Sequence, residues 1–317
     1  MRNGWRLAWV SLALAAVGCV ASPPLQVPAD EAPTRTLLQA QELDMAPSGH
    51  GVGDPAKPRP PRAGANKASG GNAMYYHGGP VFTAAPHVYV IWYGTWAHDP
   101  ALTILPAFMA ALGGSPYYAI NTTYTDGAGH HVPNAVLYGG STTDAYSQGK
   151  TLSDGSVKTI VAAAIARNAF PADAGASYMV LTSPDVAESS GFCTTYCGWH
   201  THATIAGKDL KYAFIGSPAR CPGGCEAQTT GPNGDAAADA MANIIAHELE
   251  ETATDPDLNA WYDRRGQENA DKGAWQFGTT STATNGARYN MVLGGAPYLI
   301  QGNWVNVGAG YVAWQYP

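Results

Sequence analysis

Charge is scarce in this sequence. Charged residues fill 13% of its 317 positions, and 17 lysines and arginines stand against 24 aspartates and glutamates, for a formal net charge of −7. No basic stripe interrupts that balance, which excludes phosphate neutralisation as a mode of action and with it nucleic-acid binding. Long apolar runs are missing beyond the N-terminus, so no later segment approaches the length of a membrane span. There is no Gly-x-Ser-x-Gly elbow for a serine hydrolase, no phosphate-cradling loop and no dinucleotide fingerprint. Cysteine is limited to 5 residues, while glycine (37) and proline (23) are abundant and apolar residues make up 45%. That mix suits an exported, loop-rich fold containing β-structure better than a helical bundle.

The N-terminus reads as an export signal over residues 1–19. Arg2 and Arg6 precede an apolar run from Leu7 to Val20 that is short for a span. Ala16-Val17-Gly18-Cys19 resembles a lipoprotein cleavage site, with Ala16 in place of the usual leucine, so Cys19 is a candidate lipidation site. Residues 20–72, with fragments such as Pro58-Arg59-Pro60-Pro61, bury too little to offset their ordering entropy and read as a tether. The remaining cysteines form two C-x3-C pairs, Cys193/Cys197 and Cys221/Cys225. Zinc ribbons prefer C-x2-C, and an exported chain meets oxidising conditions, so disulfides are favoured over a thiolate metal site. Four cysteines allow three pairings, and the spacing does not choose among them.

Residues 73–317 are expected to form one α+β domain, with a mixed sheet and a few packed helices. The runs at 87–92, 178–182 and 212–215 read as buried strands. Helices are expected over 101–112, 156–168 and 236–253, the last capped by Asp235 and stopped by Pro256. A short helix fits 37–43, and further strands fit 298–300 and 311–314.

The third helix carries the chemistry. His247 and Glu251 are four apart and share a face, with Glu248 bordering it. This is the spacing of the zinc-protease motif His-Glu-x-x-His with Glu as the second ligand, so a zincin-like arrangement is expected. Glu248 then serves as general base. Charge gives a second argument. Glu248, Glu250, Glu251, Asp255 and Asp257 crowd the C-terminal end of the helix, where its dipole disfavours anions, and no lysine or arginine occurs between Arg220 and Arg264. A bound cation accounts for this, either Zn2+ using His247 or Ca2+ using oxygens alone. For a third ligand Glu268 leads, because Gln267-Glu268-Asn269-Ala270-Asp271 resembles the second ligand helix of thermolysin-like enzymes. Asp257 and Asp255 are the alternatives, and Asp271 would orient a ligand. In Cys197-Gly198-Trp199-His200-Thr201-His202, strand alternation points both histidines to one face. His200 is a candidate metal ligand or transition-state stabiliser, and His202 a surface residue.

Five segments in order carry a wider resemblance: Tyr76-His77-Gly78-Gly79-Pro80, Ile91-Trp92-Tyr93-Gly94, Gly191-Phe192-Cys193 through His200, Cys221-Pro222-Gly223-Gly224-Cys225, and Ala246 to Tyr262. Together they resemble the EXORDIUM, or phosphate-induced protein, family over residues 74–317. The resemblance implies a secreted protein of the cell wall or matrix with no assigned chemistry. The position of His247 is commonly serine in plant members of that family, and the lipoprotein-like signal points to a bacterial-type member. Two functions follow as expectations. One is a zinc-dependent, peptidase-like hydrolase acting on a peptide or cell-wall polymer. The other is a non-catalytic, metal-stabilised binding protein of the envelope or extracellular space.

Overall fold

A computed structural model describes Met1 and residues 73–317. The expected signal peptide, the tether, the helix at 37–43 and Cys19 lie outside the described residues. Among the described residues no helix is long and apolar enough to cross a membrane.

The run His87–Tyr93 forms β1, with six of its seven residues buried. A strand apolar on both faces belongs in the middle of a sheet covered on both sides, and β1 lies between two parallel partners. These are β2 (Leu137–Asp144) and β3 (Ala176–Thr182). Next to β3 runs β5 (Lys208–Ile215), also parallel, and beyond it β4 (Gly198–Ile205) pairs antiparallel with β5 as a hairpin. The order across the sheet is β2-β1-β3-β5-β4, so the sheet is mixed, as expected. β2 was not foreseen. Its sequence, LYGGSTTD, alternates between exposed and half-buried positions, as suits an edge strand.

Helix α1 (Ala101–Leu112) buries Leu105, Phe108, Met109 and Leu112. Helix α2 spans Asp154–Ala166, two residues earlier than its apolar spacing indicates, because Ser153 and Ser156 form a reciprocal capping box. Helix α3 (Ala236–Thr254) starts at the expected cap, where Asp235 accepts from the Ala238 amide at 2.8 Å. Sixteen of its nineteen residues are buried, charged ones included. It packs on α1, β4 and β5. The chain from Trp261 onward forms short two-stranded ladders and turns, including Ala296–Tyr298 and Tyr311–Ala313. From this part Asn269, Gln301 and Asn303 reach α3.

Both disulfides form, joining Cys193 to Cys221 and Cys197 to Cys225. They staple the loop before β4 to the helical turn Pro222–Cys225.

Candidate metal centre

The C-terminal half of α3 faces the first residues of β4 across a contact that glycine permits. A Cβ at Gly198 would lie 2.6 Å from Ile244 Cγ2 and 2.9 Å from Glu248 Oε1. That approach brings β4 onto the carboxylates of α3. His200, two residues on, has Nδ1 3.6 Å from Glu248 Oε2 and 3.6 Å from Glu251 Oε2. His200, Glu248 and Glu251 are all 0% exposed.

The His200 ring has its roles fixed by its surroundings. Nε2 lies 3.3 Å from the Asp255 carbonyl, which can only accept, so Nε2 carries the proton. In the neutral ring Nδ1 is then a lone pair pointed at two carboxylates, and neither it nor Glu251 Oε2 has a hydrogen-bond partner. Such a contact is repulsive unless a proton or a metal cation lies between. An imidazolium there would close to the 2.7–2.9 Å typical of charge-assisted bonds. The observed 3.6 Å instead matches the edge of a tetrahedron with metal bonds near 2.0–2.2 Å, which is about 3.3–3.6 Å. Burial pushes the His200 pKa down, but Glu268, Glu248 and Glu251 outweigh it and hold it well above the usual imidazole value. The field that would retain a proton there also favours a divalent cation.

His247 sits one turn back. Its Nδ1 faces the Gln301 amide nitrogen, a donor, at 2.9 Å, so its Nε2 carries the proton and lies 3.0 Å from Glu251 Oε1. Although burial opposes ionisation, His247 and His200 hold the Glu251 pKa at about 2. Glu251 is thus an ionised carboxylate shared between two histidines. A second group of candidate ligands, His247, Glu251 and Asp271, lies beside the first, with His247 Nε2 3.7 Å from Asp271 Oδ1. The Asp271 amide donates to Glu251 Oε1 at 3.2 Å. Glu268, the expected third ligand, has Oε1 3.7 Å from His200 Nε2.

Two further expected ligands, Asp255 and Asp257, lie outside these two groups. Asp255 Oδ1 accepts from the amides of Asn259 and Ala260, both at 2.6 Å, and so closes the turn after α3. Asp257 lies in a separate, half-buried group with His202 and Asp209. Lys211 stands between the two carboxylates, 2.9 Å from Asp257 and 2.8 Å from Asp209, and His202 Nδ1 is 2.8 Å from Asp209. His202 is therefore one member of an ion-pair network rather than an isolated surface residue. Glu250 has another fate. Burial pushes its pKa well above the usual carboxylate value, against hydrogen bonds from Asn303 and Asn121 that lower it. Gln301 and Asn303 have no motif or spacing that marks them in advance.

Sequence comparison places this arrangement in a family. The model described as "Phosphate-induced protein 1 conserved region" matches residues 74–304. Protein EXORDIUM-like 5 of Arabidopsis thaliana is 32% identical over 217 residues, 60% of this chain and 59% of that protein. Protein EXORDIUM-like 3 of the same plant is 33% identical over 216 residues, 60% of this chain and 64% of that protein. Protein PHOSPHATE-INDUCED 1 of Nicotiana tabacum is 28% identical over 218 residues, 60% of this chain and 67% of that protein. The matched region thus spans about three fifths of the first two relatives. No solved structure matches. With the family model covering most of the described domain, the chain belongs to the phosphate-induced protein family, whose similar plant members carry the name EXORDIUM.

Proposed function

We propose that this chain is an exported binding protein whose fold is locked by a buried divalent metal, held by His200 Nδ1, Glu248 and Glu251. The observation that carries this reading is the enclosure of that set, with all three residues at 0% exposure. Structural metal sites are closed, whereas catalytic ones keep an open coordination position that substrate can reach. One imidazole among carboxylates favours Zn2+ over Ca2+, which prefers six to eight oxygens. The neighbours support it: His200 donates its other N–H to a carbonyl, as metal-binding histidines do, and His247 orients Glu251. Two disulfides fit an oxidising compartment, hence the envelope or the extracellular space. The lipoprotein-like Cys19 gives a means of anchoring. A wall or matrix polymer is the partner this reading implies.

Protein purified without chelator should carry stoichiometric zinc, and chelation should lower its melting temperature, with added zinc restoring it. Equal melting of the metal-loaded and chelated forms would overturn the proposal. The motif His247-Glu248-x-x-Glu251 favours a second reading, a peptidase-like zinc hydrolase with Glu248 as base. In that case wild-type protein cleaves peptides, and Glu248→Gln keeps the fold while losing turnover.

A further inference from the structure

The central sheet has a second functional feature, independent of the metal. The chain leaves β1 for β2 on one side and later enters β3 on the other. In largely parallel sheets the crevice outside the carboxyl ends, where successive connections diverge, is the usual ligand site. Here it lies where β1 ends at Tyr93 and β3 ends at Thr182.

One polar network stands beside these strand ends. Asp185 Oδ1 accepts from Ser183 Oγ at 2.7 Å, and Oδ2 accepts from Tyr146 Oη at 2.8 Å and from Lys150 Nζ at 2.6 Å. With the tyrosine proton committed to Asp185, Thr95 Oγ1 donates to Tyr146 Oη at 2.8 Å. The Thr95 amide donates to Ser183 Oγ at 3.1 Å. The network is open to solvent: the side chains of Lys150 and Asp185 are 63% and 43% exposed. Tyr146 lies in the left-handed region at φ 61°. A bulky residue there costs roughly 1–2 kcal/mol, and a turn with no other task would carry glycine or asparagine. Strain of this kind collects at functional sites.

We propose that this crevice binds a neutral saccharide through Thr95, Tyr146, Lys150 and Asp185. Sugar hydroxyls both donate and accept, and the network presents both roles side by side. Lys150 has N–H groups beyond the one given to Asp185, and the carboxylate has lone pairs beyond those in use. The Lys150–Asp185 pair is neutral as a unit, so it draws neither anions nor cations strongly. The glycine-rich cradle that a nucleotide's phosphates require is absent from the sequence.

The test is titration of the full chain with cellohexaose, chitohexaose, mannohexaose and maltohexaose, followed by calorimetry and amide NMR shifts. At least one should bind, with shifts centred on residues 94–95, 146–150 and 183–185. Tyr146→Ala and Asp185→Asn should weaken binding about tenfold or more. Tyr146→Gly relieves the left-handed strain, so it should hold or raise the melting temperature while losing the sugar, a split that mere structural damage does not produce. Failure of all four sugars to bind would overturn the proposal. So would binding unchanged in the Tyr146→Gly and Asp185→Asn proteins, or shifts confined to another surface.

Discussion

His200 and His202 stand two residues apart on β4, on the same face, and each meets carboxylates. The residues paired with them across the ladder differ in charge. Opposite His202 in the β4–β5 ladder is Lys211, whose ammonium bridges Asp209 and Asp257. Opposite His200 is Ala213, which offers no charge. The outer group carries its own cation and stays partly open to water. The inner group is fully enclosed and could hold a metal ion. Elsewhere on α3 a third solution appears, in which burial raises the pKa values of Glu250 and Asp239. Burial raises Asp239 to about 6, although Asn233 donates to it through its amide and its side chain. Excess buried charge is thus met by a lysine in the outer group and by raised carboxyl pKa values on α3, while the group at His200 has the geometry of a candidate metal site.

That contrast can be broken at its strongest point. His200→Ala leaves Glu248 and Glu251 buried without the imidazole between them. It should abolish stoichiometric metal and cost about 3–5 kcal/mol in denaturant unfolding. A variant that keeps full stability and its metal would remove the distinction between the inner and outer groups. The proton-based solution predicts a pH signature. Because the folded pKa of Asp239 lies above its unfolded value, its stabilising contribution is fully present below about 3.8 and is lost as pH rises through about 6. Wild-type stability should therefore lose about 2–3 kcal/mol between those limits relative to Asp239→Asn, whose profile should be flatter. Denaturation midpoints of the two proteins across that range test it. The smallest effect belongs to the outer group. Lys211→Met should cost about 1 kcal/mol, since these pairs are only partly buried. It should also turn His202, Asp209 and Asp257 into a new, weak zinc site, visible as a second binding event by calorimetry.

The readable parts of the fold were those whose burial is uniform. β1, β3 and β5 stand out because inner strands of a parallel sheet are apolar on both faces. β2, an edge strand of glycine, serine and threonine, carries no such pattern. At the site, the carboxylates of α3 were legible as charge at the wrong helix end, and Glu251 is shared by two candidate metal groups, one with His200 and Glu248 and one with His247 and Asp271. His247 instead lies at hydrogen-bond distance from Glu251, and His200 faces the space between Glu248 and Glu251. Helical spacing reports which residues of α3 share a face, but not which distant strand lands on it. Gly198, whose missing Cβ admits that strand, is one of 37 glycines. Gln301 and Asn303 fall below notice for the same reason, since only tertiary contact gives an amide its role.

The disulfides bear on how the chain reaches this state. Each joins cysteines 28 residues apart, and the β4–β5 hairpin lies inside both loops. The competing pairs, Cys193 with Cys197 and Cys221 with Cys225, have only three residues between them and need no hairpin, so simple chain encounter favours them early. Correct oxidation therefore has to follow formation of the hairpin that carries His200. Locally bridged isomers become off-pathway species for an isomerase to resolve, and an oxidant acting too soon should lower the yield of folded protein.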